Sequence, residues 1–144
     1  MPEQLQFKLR IKDFKRLNNK FPKNQSSAAI GKRAIEIVRI YFKYLCPHTK
    51  VKDSKKPGVD LLVPIRYNHR VPIEVKGTIS DKISLGQIKV SGDESFKNLA
   101  NKKMPIYRVV GVYQSNPRIF KLICGKDFDL EKEPRWRFKS LEID

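Results

Sequence analysis

Acidic residues are scarce in this chain: 15 Asp and Glu stand against 31 Lys and Arg over 144 residues, a formal net charge of +16. A field of that sign draws nucleic acid non-specifically and makes the binding steeply salt-dependent, so the expected partner is a polyanion. Charge alone does not separate an enzyme acting on nucleic acid from a module that only binds it. Cysteine is nearly missing. Cys46 and Cys124 are too few for a disulfide framework and lack metal-ligand spacing, so both are read as core or semi-buried thiols. Histidine offers no site, because His48 follows a proline at a helix end, His69 falls in an expected turn, and neither has a second His or a Cys at ligand spacing. No phosphate-cradling glycine loop occurs, which excludes the nucleotide-binding motifs built on one. No apolar run approaches a membrane span, and Met1 to Gln6 contains no apolar signal region, so a cytoplasmic, intracellular protein is expected.

Two short runs stand out from this background: Lys56-Pro57-Gly58-Val59-Asp60-Leu61-Leu62-Val63 and Val71-Pro72-Ile73-Glu74-Val75-Lys76-Gly77-Thr78. Side chains alternate faces along a strand with period two. Val59, Leu61, Val63 and Ile65 are all odd-numbered, as are Val71, Ile73 and Val75, so the odd face is the one a helix should cover. Asp60, Glu74 and Lys76 are all even. A turn centred near Asn68, in Arg66-Tyr67-Asn68-His69-Arg70, places Asp60 opposite Lys76 and Leu62 opposite Glu74. Directly opposite Cβ atoms lie about 5 Å apart and diagonal ones roughly 7–8 Å, near enough for Asp60 and Glu74 to share a divalent ion. A one-residue slip would separate them. The competing interpretation is an ordinary charged outer face of an antiparallel hairpin. The Pro-Gly before Asp60, the matching parity and the Gly77-Thr78 after Lys76 favour a site.

With Gly58-Val59-Asp60 as its first half and Glu74-Val75-Lys76 as its second, the pattern resembles the PD-(D/E)XK nuclease superfamily, the restriction-endonuclease-like fold. The string Ile73-Glu74-Val75-Lys76-Gly77-Thr78 is similar to a branch of it found near restriction systems. The resemblance spans roughly Ile30 to Phe120 and departs from the pattern in having Val59, not proline, before Asp60. It implies an α/β fold with a mixed central β-sheet flanked by helices, here carrying a short N-terminal strand and helix extension. It also implies a metal-dependent DNA endonuclease of restriction, repair or junction-resolution type, acting as a homodimer because cutting both strands of a duplex needs two sites. Small basic archaeal junction resolvases share the size and layout. Phosphodiester hydrolysis needs charge stabilisation and a nucleophilic water, and hard oxygen ligands hold Mg²⁺ for that purpose, with Mn²⁺ a substitute. Asp60 and Glu74 would be those ligands, and the resemblance adds the Val75 backbone carbonyl. Lys76 would orient or deprotonate the attacking water and hold the scissile phosphate. The alternative is a non-catalytic nucleic-acid-binding module, or a subunit of a nucleoprotein complex, whose acidic pair is structural.

Elsewhere, length and a hydrophobic content of 40% suit one domain with one core. It divides into a basic N-terminal extension over 1–25, a core over 26–124 and a tail over 125–144. Leu5, Phe7, Leu9 and Ile11 alternate with polar residues as in a half-buried strand, and Asp13 to Phe21 follows as a short basic helix that could pack on the core edge, clamp DNA or build a dimer. Ser26 or Ser27 can cap a helix reaching about Leu45 before Pro47, with a stripe of Ile30, Ala34, Ile37, Tyr41 and Leu45 widened by Val38 and Ile40. Related chains often carry a metal-site Glu on this helix. The candidate here, Glu36, lies roughly 140° from the stripe's centre at about 100° per residue, among Lys32, Arg39 and Lys43, which favours a solvated position. A short strand is expected near Lys50 to Asp53, then a loop whose Lys55 and Lys56 could hold phosphates flanking the cut, or simply be solvated. Lys82 to Val90 is expected as a third core strand, with Lys82 and Lys89 as candidate DNA-backbone contacts and Gln87 open. A helix over Glu94 to Lys102, an aliphatic strand over Ile106 to Tyr113 covered on both faces in the parallel part of the sheet, and an edge strand over Arg118 to Ile123 complete the core. Trp136 in Pro134-Arg135-Trp136-Arg137-Phe138 suits either base stacking or docking on the core.

Overall fold

Helix α2 (Ser27–Leu45) shows how local signals set the frame. The Ser26 hydroxyl accepts a hydrogen bond from the Ala29 amide at 3.2 Å, so Ser26 is the cap. The helix ends at Cys46, where the following Pro47 disfavours further helical backbone. Its buried side chains are Arg33, Ala34, Ile37, Val38 and Phe42. Phe42 is therefore part of the stripe, whereas the expected Leu45 is exposed.

The computed structural model describes residues 2–66, 69–83, 88, 90 and 92–130. Among them the chain is an α/β protein with three helices packed against a six-stranded mixed sheet. The strands are β1 (Glu3–Gln4), β2 (Lys52–Asp53), β3 (Leu61–Arg66), β4 (His69–Gly77), β5 (Ile106–Val110) and β6 (Arg118–Leu122), in the order β1-β6-β5-β4-β3-β2. Helix α1 (Ile11–Lys20) leans on α2, and α3 (Asp93–Phe96) continues into a π-helical turn over Lys97–Asn101. Among the described strands β4 and β5 pair in parallel and the other pairings are antiparallel. Among the described residues no helix is long and apolar enough to cross a membrane.

The hairpin keeps the expected parity but not the expected register. Leu61 faces Ile73, Leu62 faces Pro72 and Val63 faces Val71, two residues away from a pairing of Leu62 with Glu74. The difference arises at the tip: Arg66 faces His69, one step from a turn centred on Asn68, and the register shifts by one more between Pro64 and Arg66, leaving Ile65 unpaired and 52% exposed. Of the expected turn over Arg66 to Arg70, Tyr67 and Asn68 lie outside the described residues, whereas His69, expected in the turn, is a strand residue of β4 paired with Arg66. Val59, which precedes the strand, also leaves the odd set and packs with the cluster on the opposite side of the sheet.

Two apolar clusters sandwich the sheet. On the odd face Leu61, Val63, Ile73, Val75, Tyr107, Val109 and Ile119 meet Ala34, Ile37, Val38 and Phe42. On the even face Ile106, Val110, Phe120 and Leu122 meet Leu99 and Met104. Strand β5 is buried throughout, as a strand covered on both faces must be.

Several boundaries differ from the sequence reading. The segment Leu5 to Arg10 buries alternate residues yet pairs only at its start, through β1 against β6, and Ile11 is already helical and exposed. Because β1 lies outside β6, β6 is not an edge strand. Of the apolar residues spaced along the expected helix over Glu94 to Lys102, Leu99 is buried and Phe96 is 49% exposed, and Lys97–Asn101 is π-helical, which departs from regular α-helical spacing. Lys82, Ile83, Ile88 and Val90 are not in a strand, and Ser84 to Gln87, with Lys89, lie outside the described residues.

The N-terminal segment packs on the core. The Asn24 amide donates to the Tyr113 hydroxyl at 3.1 Å, and that hydroxyl donates to the Asn24 carbonyl at 2.6 Å. Tyr44 bonds the Asp13 carboxylate, and the Arg10 guanidinium lies 4.2 Å above the Tyr44 ring.

Candidate functional site

Asp60, Glu74 and Lys76 come together on the even face. The observed register, carried one step past Leu61 and Ile73, sets Asp60 across from Glu74 rather than Lys76. Two hydrogen bonds fix it there: the Asp60 amide donates to the Ile73 carbonyl at 3.0 Å, and the Val75 amide donates to Asp60 Oδ2 at 2.7 Å. The Asp60 side chain thus takes the place of the next ladder partner, where β3 has not yet begun. On its other edge β4 is held to β5, the Glu74 amide donating to the Pro105 carbonyl at 3.1 Å.

Glycine makes this approach possible twice. Gly58 adopts φ +73°, and a Cβ there would stand 2.9 Å from Ser95 Oγ and 3.0 Å from the Ser95 backbone, so the loop before Asp60 presses directly on α3. Asn98, in the π-helical turn, donates to the Pro57 carbonyl at 3.4 Å. At the other end of the site, a Cβ on Gly77 would lie 2.6 Å from the Ala34 Cβ, so β4 meets α2 most closely one residue beyond Lys76.

The electrostatics centre on Glu74, which is 6% exposed and sits in register with the buried Ile106. Burial pushes its carboxyl above the ordinary range, the attraction and hydrogen bond of Lys76 pull it back in part, and the Asp60 charge raises it further. Lys76 Nζ lies 3.3 Å from Glu74 Oε1. The other oxygen, Oε2, is buried and has no hydrogen-bond partner. A bare carboxylate oxygen in an apolar setting is costly and calls for a cation or a proton.

No protein family, curated protein or solved structure matches the chain. The reading therefore rests on the residues themselves.

Those residues include one that spacing does not single out. Arg108 of β5 pairs in register with Lys76, faces the same side, and is 4% exposed. Its Nη1 donates to the Gly77 carbonyl at 3.2 Å, while Nε is buried without a partner. The signal in the sequence is a lone charge inside Ile106-Tyr107-Arg108-Val109-Val110, a run otherwise suited to burial on both faces. Glu36, in contrast, lies on the α1 side of α2, 3.9 Å from Arg39 Nε, in a cleft it shares with Asp13, Arg16 and Lys20. Lys55 and Lys56 are exposed on the loop leading to Asp60, and Lys82 is exposed in the bend beyond β4. Lys89 and Gln87 lie outside the described residues, as do Trp136 and its neighbours.

Among the described residues no three His, Cys, Asp or Glu side chains gather to hold a metal ion. The protein's own oxygens at this point are the two carboxylates and the main chain of β4. That set suits Mg²⁺, which keeps several waters and is commonly held by one or two carboxylates with substrate phosphate completing the shell. The orphaned Glu74 Oε2 is the observation that fits a cation here.

Proposed function

We propose that the protein is a metal-dependent DNA endonuclease of the restriction-endonuclease-like, PD-(D/E)XK class. The observation that carries this reading is the buried, unpartnered Glu74 Oε2 beside Asp60, on a strand whose next even residue is Lys76. Asp60 and Glu74 would hold Mg²⁺, or Mn²⁺ in its place, with the Val75 carbonyl as a main-chain ligand. The ion, when bound, supplies positive charge to the phosphorane-like transition state and acidifies a coordinated water. Lys76 would then release Glu74 and turn to the attacking water and the scissile phosphate. Lys55, Lys56, Lys82 and Lys89 would contact flanking phosphates, in keeping with the net charge of +16. Duplex cutting by this design calls for two copies of the chain, each contributing one site.

A second reading has its own observation. Lys76 already pairs with Glu74, and Asp60 already accepts from the Val75 amide, so the trio could be a structural clasp in a protein that binds nucleic acid without cutting it. Plasmid and four-way-junction DNA incubated with Mg²⁺, Mn²⁺ or EDTA discriminate the two. The nuclease reading expects cutting with either metal and none in EDTA, and loss of cutting with retained DNA binding in Asp60→Ala and Glu74→Ala. Intact substrates under every condition with wild-type protein would sink it.

A further inference from the structure

Two buried arginines in this molecule are held differently. Arg33, fully buried in α2, donates from Nε to the Val112 carbonyl at 2.7 Å and from Nη1 to the Phe21 carbonyl at 2.9 Å, and its guanidinium lies 5.0 Å from the Tyr113 ring and 6.0 Å from that of Phe14. These contacts pin the N-terminal segment to the core and account for its position. Arg108 has one carbonyl, that of Gly77, and among the described residues neither a carboxylate nor an aromatic ring. Desolvating a cation with so little compensation is unfavourable. Lys76 occupies the paired position on β4, one strand spacing of about 5 Å away, with its ammonium 3.3 Å from Glu74 Oε1. Two cations at paired positions on one face, one of them desolvated, describe a receptor for an anion.

We propose that Arg108 binds a phosphate group, donating to a non-bridging oxygen from β5 while Lys76 approaches from β4. The inference rests on the nuclease reading in taking that phosphate to be the scissile one. The guanidinium's fork of donors suits phosphate, and its dry surroundings strengthen each charge-assisted hydrogen bond. The site would thus separate two tasks: carboxylates at the Asp60 end for the metal ion, cations at the Arg108 end for the substrate.

The test uses full-length protein and the Arg108→Met variant in EDTA, so that no cutting occurs. Affinity for a DNA duplex is measured by fluorescence anisotropy over a series of KCl concentrations, and thermal melting is followed without DNA. One lost phosphate contact should flatten the dependence of log K on log salt by about 0.9. The free variant should melt at or above the wild-type temperature, because an uncompensated buried charge has been removed. A structural role predicts the reverse, so a variant that melts well below wild type, or fails to fold, overturns the proposal. So does an unchanged salt slope. Arg108→Lys, which keeps the charge but loses the fork, should keep the slope and cut at least about tenfold more slowly under single-turnover conditions with Mg²⁺. Wild-type protein that binds duplex but never cuts it would remove the nuclease reading and leave Arg108 to be judged by slope and melting. Normal cutting with an unaltered slope in Arg108→Met would remove only the role of Arg108.

Discussion

On one face of the β4 and β5 pair, Ile73, Val75, Tyr107 and Val109 meet the apolar side of α2; on the other, Glu74, Lys76 and Arg108 stand beside Ile106 and Val110 under a much shorter helix. The same strands supply both faces, one residue out of step. A long capped helix can bury a whole apolar face, whereas four α-helical residues and a π-helical turn over Lys97–Asn101 leave Lys76 and Asp60 within reach of solvent. Two of the buried, unpartnered polar atoms among the described residues, Glu74 Oε2 and Arg108 Nε, lie on the even face. Under the proposed function, stability and chemistry fall on opposite sides of two strands, and each change below should affect one side more than the other.

The largest effect is expected on the even face. Lys76→Ala should slow cutting by about 10²–10⁴, the usual contribution of a positioned proton-transfer group, with little change in melting temperature, as measured by single-turnover cleavage and calorimetry. On the odd face the balance should reverse. Ile37→Ala opens a cavity under β4 and should cost about 2–5 kcal/mol in denaturant unfolding while leaving the residual cutting rate of the folded protein near wild type.

Gly77→Ala tests the close approach of β4 to α2 beside Lys76. The added methyl would meet Ala34 Cβ, an overpacking expected to cost about 1–3 kcal/mol, and because Lys76 precedes it the cutting rate should fall too. Ala34→Gly in the same chain should restore part of both. If it restores stability alone, the site does not depend on helix spacing.

Glu74→Gln separates burial from charge. The folded state holds the Glu74 proton more tightly than the unfolded chain does, so Glu74 favours folding in acid, and that contribution disappears as pH rises through its elevated value. The amide should therefore raise the melting temperature relative to wild type near about pH 8, and the gain should shrink towards about pH 4, where both forms are neutral in the fold. A loss at the higher pH would mean that the Lys76 pair outweighs desolvation.

The smallest effect belongs farthest away. Ser26→Ala should cost about 1 kcal/mol by removing the cap of α2 and leave the even face unchanged in cutting and in salt dependence.

Much of this arrangement was legible in the sequence because it rests on local rules. The cap at Ser26, the stop before Pro47 and the parity of Asp60, Glu74 and Lys76 need only neighbours in the chain. The parallel placement of β5 followed from a run that is apolar except at Arg108. What escaped depends on partners distant in sequence. Whether Leu62 faces Glu74 or Pro72 is decided at the hairpin tip, and the burial of Arg33 and Arg108 by carbonyls at Val112 and Gly77 that no spacing rule connects to them.

The unpaired Ile65 has a consequence for how this chain could vary. Because the single-residue offset is taken up between Pro64 and Arg66, every pair below it keeps its phase, and Asp60 is fixed from the far end by the Val75 amide and the Ile73 carbonyl. The tip is mechanically insulated from the carboxylates. Loops of other lengths could be spliced between residues 65 and 69, to reach a different stretch of substrate or to carry a label, without turning Glu74 and Lys76 to the wrong side of the sheet.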